Sequence, residues 1–290
     1  MIRVIEVGPR DGLQNERRII PTDVKVAFVN LLSLTGVDEV EVSAFVSPKK
    51  VPQLADAEHV LSQIERVPGV VYSALVPNTQ GLDRALEAKV DKIGLFTAAS
   101  ETFNRRNINA SIDESFDRFG PVLTRAREAK LIVRGYVSTA FWCPYEGRVD
   151  PKVAAEVIWR LFELGVDEVS IGDTIGKASP DEVRLLLDIA LKHADPSRLN
   201  MHFHDTFGRG AANALAALAF GVTCFDSSTG GIGGCPFAPG APGNLATETL
   251  VETLKGSDTP TRVDLAAVAA AREVILPHLG QPGDSQVEIY

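Results

Sequence analysis

Cysteine is scarce in this 290-residue chain, which holds only three: Cys143, Cys224 and Cys235. Three thiols make neither an even disulfide set nor a CxxC zinc pattern, so a disulfide-stapled secreted scaffold is excluded and a reducing compartment fits. Long apolar runs are missing as well. None approaches the ~20 residues of a membrane span, so no membrane partner is expected. Positive charge is in deficit, with 29 Lys and Arg against 38 Asp and Glu and a formal net charge of -9. That balance speaks against a nucleic-acid surface, although local basic residues can still hold an anionic ligand. No signal-peptide pattern is visible, because Met1–Val7 enters a strand pattern at once. The expected location is the cytoplasm.

What the chain does have is repetition. Short β-branched runs alternate with longer amphipathic stretches from end to end. The expected strands are Arg3–Val7, Glu39–Ser43, Val70–Leu75, Lys92–Phe96, Ile132–Val137, Glu168–Ile171, Asn200–His204 and Thr223–Asp226. Helical patterns lie between them, at Thr22–Leu34, Leu54–Arg66, Ile112–Ala129, Pro151–Leu164, Pro180–His193 and Arg209–Phe220. The joints resemble one another. Thr35-Gly36-Val37-Asp38 recurs as Leu164-Gly165-Val166-Asp167, with Ala88-Lys89-Val90-Asp91 and Phe220-Gly221-Val222-Thr223 as variants. Glycine at such a joint supplies a left-handed helix C-cap before the next strand. Eight βα units predict a parallel α/β fold, a closed (β/α)8 TIM barrel. An open doubly wound sheet would bring a GxGxxG turn after its first strand, and here that turn reads Gly8-Pro9-Arg10-Asp11-Gly12. One catalytic domain over 1–290 is expected, with 264–290 as a C-terminal helical extension.

In such a barrel the chemistry gathers at the C-terminal ends of the strands. Two of the five histidines sit there, in His202-Phe203-His204-Asp205. Alternation along a strand turns both imidazoles to one face, about 6 to 7 Å apart at the root, a spacing that suits one divalent cation. Asp11, at the end of the first strand, offers a carboxylate, or else caps its turn. Asn244 offers an amide oxygen, or else caps the helix expected from Leu245 to Leu254. Oxygen and imidazole donors favour Mg2+ or Mn2+ over a structural zinc, which prefers thiolates. Glu41 and Ser43 share one face of the second strand. Glu41 is either a structural carboxylate or a partner for Arg10 or for metal-bound water. Asp173 closes the sixth strand, as a site group or a helix cap.

Taken together, these segments resemble the hydroxymethylglutaryl-CoA lyase family of metal-dependent (β/α)8 lyases. The likeness runs from Val7-Gly8-Pro9-Arg10-Asp11-Gly12-Leu13-Gln14-Asn15-Glu16 through Ser43-Ala44-Phe45-Val46-Ser47-Pro48-Lys49, Cys143-Pro144-Tyr145-Glu146-Gly147 and Gly172-Asp173-Thr174-Ile175-Gly176. The glycine-rich Gly230–Ala238 stretch around Cys235 discriminates most, since Claisen-type synthases carry a different, charged loop there. The resemblance implies a divalent cation on Asp11, His202, His204 and Asn244. It implies Cys235, Arg10, Asp11 and Glu41 as catalytic groups, with Arg10, Gln14, Ser43 and Asp173 towards the substrate. It further implies an acyl-CoA thioester substrate, retro-Claisen cleavage and a homo-oligomer. Thr229-Gly230-Gly231 and Phe237-Ala238-Pro239-Gly240 depart from the family pattern by added glycine and proline, and Phe141 and Trp142 depart from it beside the fifth strand. They raise the expectation of a larger or different acyl group, as in a lyase for a related 3-hydroxyacyl-CoA.

Overall fold

β-Branched and aliphatic runs pair into eight strands because each finds a hydrogen-bonding neighbour on both sides. In the computed structural model, which describes residues 1–233, 243–257 and 259–280, they are β1 (Arg3–Glu6), β2 (Glu39–Ala44), β3 (Val71–Leu75) and β4 (Lys92–Ala98), followed by β5 (Ile132–Ser138), β6 (Glu168–Asp173), β7 (Leu199–Phe203) and β8 (Cys224–Ser227). Every pairing between these strands is parallel and follows chain order, and β8 returns to β1 to close the barrel. The expected (β/α)8 barrel is the observed one.

The repeated joints explain themselves in the structure. Gly36, Gly165 and Gly221 all adopt positive φ, while Lys89 takes the same left-handed conformation without being glycine. The aspartate that follows clasps an earlier strand. Asp38 Oδ2 accepts from the Val4 N–H at 3.0 Å, Asp91 Oδ2 from Tyr72 at 2.9 Å, and Asp167 Oδ2 from Val133 at 2.7 Å. Each aspartate also donates its own N–H to the carbonyl of the residue it clasps. Both backbone groups at the start of a strand are thereby satisfied in the barrel floor.

Ten helices are described: α1 (Thr22–Ser33), α2 (Ala57–Gln63), α3 (Thr79–Glu87), α4 (Glu101–Ile108), α5 (Ile112–Glu128), α6 (Pro151–Leu164), α7 (Pro180–Ala190), α8 (Gly210–Leu218), α9 (Thr247–Leu254) and α10 (Leu265–Ile275). Capping boxes begin α5 (Ser111, Glu114) and α7 (Ser179, Glu182), which is why both start where the sequence pattern places them. The helix expected over Leu54–Arg66 is shorter. Its potential cap, Asp56, is instead engaged by Lys25 at 2.8 Å and Thr22 at 2.7 Å. Among the described residues no helix is long and apolar enough to cross a membrane. Helix α10 rests against α1, with Val268, Ala271 and Ile275 buried.

The main apolar core lies between strands and helices, while the lumen is polar. Glu39, Lys92, Arg134, Glu168 and Asp226 come from five different strands and meet across the lumen in one ionic cluster. Two local departures from the expected strands matter for function. A register shift in β2 between Glu41 and Ser43 sets Ser43 level with Ala74, which packs in the outer core. One extra residue reverses the alternation, so Ser43 leaves the face that carries Glu41. In addition, β7 ends at Phe203, and His204 pairs only in a single bridge with Asn244.

Candidate metal centre

The site is built on a turn. After β1 the chain winds into a π-helical turn, Gly8–Gly12, in which the N–H groups of Arg10, Asp11 and Gly12 all point to the Val7 carbonyl. Glycine is required at its start, because a Cβ on Gly8 would meet Glu6 Oε1 at 2.7 Å. The turn delivers Arg10 and Asp11 to the barrel mouth.

Arg10 is buried and held on two sides. Its Nε and NH2 each lie 2.7 Å from Glu41 Oε2, and NH1 lies 2.6 Å from Asp11 Oδ1. The other Glu41 oxygen accepts from the Tyr136 hydroxyl at 2.9 Å, and the guanidinium lies 5.6 Å from the Tyr136 ring centroid. Gln14 donates to Asp11 Oδ1 at 2.9 Å. Burial raises the Glu41 pKa above its ordinary value despite Arg10. Burial would also raise Asp11, but Arg10, His202, His204 and the Asn244 amide together hold it well below the ordinary carboxylate range. Asp11 is a firm anion.

Its second oxygen faces the histidines. Asp11 Oδ2 lies 3.8 Å from His202 Nε2 and 4.0 Å from His204 Nε2, and the two rings are 5.3 Å apart. One donor atom from each of Asp11, His202 and His204 falls within 4.8 Å of the other two. Ligands bound at about 2.1 Å around one cation lie roughly 3 to 4 Å apart, so only a small contraction is needed. Asn244 completes the group. Its Nδ2 donates to Asp11 Oδ2 at 2.9 Å and to the Ile232 carbonyl at 3.1 Å, while its Oδ1 is buried with no hydrogen-bond partner among the described residues. His204 Nδ1 is likewise buried without a partner among the described residues. Burial and the neighbouring His202 push the His204 pKa down to about 4, leaving a neutral imidazole with a lone pair to give. Burial would also lower His202, but its hydrogen bond to Asp226 and the charge of Asp11 outweigh that and raise it. A carboxylate, two imidazoles and an amide oxygen are groups that could hold a divalent cation.

Asn244 does not cap a helix. Helix α9 starts at Thr247, and residues 243–246 are instead zipped between the ends of β7 and β8. The Leu245 N–H donates to Phe203 at 2.9 Å, the Asp205 N–H to Gly243 at 2.7 Å, and the Ser228 N–H to Leu245 at 3.0 Å. Nor does Asp173 reach into the lumen: it sits level with the outward-facing Phe203, and its carboxylate accepts from the backbone N–H groups of Lys177 (3.1 Å) and Ala178 (3.0 Å). It shapes the loop after β6. Cys235 lies outside the described residues. The two aromatics of the β5 loop are committed elsewhere. Phe141 is buried, and Trp142 donates to Glu182 at 3.2 Å with the Lys177 ammonium 3.9 Å from its ring centroid. Trp142 is thus tied to Glu182 and Lys177, while residues 237–240, another departure, lie outside the described residues.

Three residues escaped the sequence reading. Tyr136 and Asp226 face the lumen, and counting alternation along β5 and β8 would have found them. Glu6 is fully buried and accepts from the Gly8 and Thr229 N–H groups, both at 2.9 Å, and from the hydroxyls of Thr229 (2.7 Å) and Thr247 (2.8 Å). It ties the Arg10–Asp11 turn to the segments on either side of Asn244. Nothing local in the sequence announces that staple.

Comparison with known proteins agrees with this construction. The family model described as HMGL-like matches residues 1–275. The hydroxymethylglutaryl-CoA lyase of Pseudomonas mevalonii is 50% identical over 285 residues, spanning 98% of this chain and 95% of that protein. The solved HMG-CoA lyase of Brucella melitensis superposes with a TM-score of 0.93 at 46% identity, covering 95% of this chain and 98% of that one. An HMG-CoA lyase from Acinetobacter baumannii, solved with coenzyme A and 3-methylmalate, gives 0.91 at 37% identity, covering 99% and 93%. The chain belongs to the HMGL-like family, among its hydroxymethylglutaryl-CoA lyases.

Proposed function

We propose that the protein cleaves 3-hydroxy-3-methylglutaryl-CoA into acetyl-CoA and acetoacetate by a retro-Claisen reaction, with a divalent cation held by Asp11, His202, His204 and Asn244. The observation that carries this reading is the convergence of Asp11, His202 and His204 beside a rigidly held Arg10. When bound, a cation such as Mg2+ or Mn2+ supplies Lewis acidity that lowers the pKa of the substrate's tertiary hydroxyl.

The residues themselves divide the remaining work. As the C2–C3 bond breaks, its electrons pass to the thioester carbonyl, and C3 becomes the ketone of acetoacetate. The proton of the C3 hydroxyl leaves to a base. Asp11 is a weak base because its pKa is held so low, and it serves as ligand and orienting group. Arg10 keeps N–H groups beyond those used by Glu41 and Asp11, and these stabilise the enolate oxygen that develops only as the bond opens. Glu41 acts through Arg10, as does Gln14 through Asp11. Cys235 delivers the proton that turns the enolate carbon into the methyl of acetyl-CoA. Ser43 and Asp173 do not enter as substrate contacts. The likeness to an enzyme solved with coenzyme A supports an acyl-CoA thioester as the substrate class. Cytoplasmic placement and a homo-oligomer belong to the same reading, and a rat relative is named as cytoplasmic.

The test is direct. Protein stripped with EDTA is incubated with the thioester, with and without Mg2+ or Mn2+, and the products are identified by mass spectrometry. Acetyl-CoA and acetoacetate should form only when metal is restored, and turnover by the stripped protein would refute the metal centre. Arg10→Met should lower kcat on the order of 10²- to 10³-fold with a smaller change in KM.

A further inference from the structure

Beneath the two histidines lies a carboxylate to which the chemistry above gives no task. Asp226 is buried on β8, level with His202 on the adjoining β7. Its Oδ2 lies 3.1 Å from His202 Nδ1 and accepts from the Ser170 hydroxyl at 3.1 Å, which in turn accepts from the Asn200 amide at 2.8 Å. Its Oδ1 accepts from Arg134 NH1 at 3.3 Å. Arg134 is itself pinned, with Nε 2.7 Å from Glu168 Oε1 and NH2 3.3 Å from Glu39 Oε2. Asp226 therefore has no freedom to turn.

We infer that Asp226 is a positioning residue for the metal centre: it fixes His202 in the Nδ1–H tautomer, with the Nε2 lone pair aimed at the cation site beside Asp11. A carboxylate held by Arg134 has no proton to give, so the hydrogen in the 3.1 Å contact belongs to the imidazole. That leaves Nε2, on the Asp11 side, as the free nitrogen. Among the described residues His204 has no counterpart to this arrangement, since its Nδ1 is buried without a partner there. The two histidines are thus unequal ligands. His202 is set in advance by a chain running from the barrel floor, whereas His204 is held through its backbone, by the bridge to Asn244. Carboxylates that orient ligating histidines in this way support metal affinity.

The inference rests on the reading of Asp11, His202 and His204 as ligands, but not on any substrate. Two measurements on the intact protein test it. In metal-free protein labelled with 15N-histidine, at about pH 9 where imidazoles are neutral, the His202 resonances should report the Nδ1–H tautomer. Finding the Nε2–H tautomer would overturn the proposal, and this arm needs no mutant to fold. In the second, Asp226→Asn should weaken Mn2+ binding about 10- to 100-fold, read from the free Mn2+ signal by electron paramagnetic resonance. A folded variant that binds Mn2+ as tightly as the parent would sink the idea. Failure of thioester cleavage with both results intact would count against the lyase reading alone.

Discussion

At the scale of single residues, the decisive fact is that Glu41 spends both carboxylate oxygens on neighbours. One holds Arg10 and the other holds Tyr136, so Glu41 sets the direction of the guanidinium without touching the reacting atoms. Glu41→Gln keeps the shape but puts an amide where a bidentate carboxylate stood. Its kcat should fall on the order of 10²-fold, as for a misplaced catalytic group, while KM changes little; a variant altered only in KM would assign Glu41 to ground-state binding. The sequence brought Glu41 to notice because a charged residue inside a β-branched strand is costly without partners. It did not disclose the partners, because Arg10 and Tyr136 lie 31 and 95 residues from Glu41 along the chain. Ser43 was misplaced for a related reason. A bulge is a tertiary event that reverses alternation, and Glu41-Val42-Ser43 reads as a regular strand without it.

Among elements, the seam between the β1 turn, the β8 exit and α9 depends on Glu6. Burial raises its carboxyl from an ordinary 4.5 to about 7, although four hydrogen-bond donors pull the other way. The folded protein therefore binds a proton here that the unfolded chain has released between pH 4.5 and 7. This contribution to stability is complete below pH 4.5 and is lost as pH rises through about 7. Glu6→Gln should remove it. The amide oxygen can still accept from Gly8 and Thr229, and the NH2 can donate to the two hydroxyls, which reverse their roles. Thermal midpoints measured from pH 5 to pH 8 should fall less steeply for the variant than for the parent, and parallel curves would show that Glu6 is ionised throughout. The element order was legible because similar joints recur, three of them a helix stop followed by an aspartate. The π-turn, the two-residue ribbon of Trp142–Cys143 with Gly147–Arg148, and the zip of residues 243–246 were not, since each is closed by distant backbone rather than by local residue type.

Across the whole molecule, the barrel could be counted from the sequence, yet its polar lumen could not. A strand buried on both faces reads as apolar, whereas here Glu39, Lys92, Arg134, Glu168 and Asp226 are inward exceptions joined to one another by ion pairs. Lys92→Met removes the shared partner of Glu39 and Glu168. It should cost about 3 to 5 kcal/mol in chemical denaturation, because it leaves buried carboxylates short of a cation. A loss under about 1 kcal/mol would mean that Arg134 alone neutralises the cluster. The cluster also bears on the order in which the chain assembles. Glu39, Lys92, Arg134 and Glu168 lie on β2, β4, β5 and β6 and pair two acids with two bases. A sheet wound as far as β6 therefore already carries balanced charge on the surface it must bury. Strand β8 brings the fifth group, so closing the barrel sets one further carboxylate, Asp226, against Arg134, Ser170 and His202.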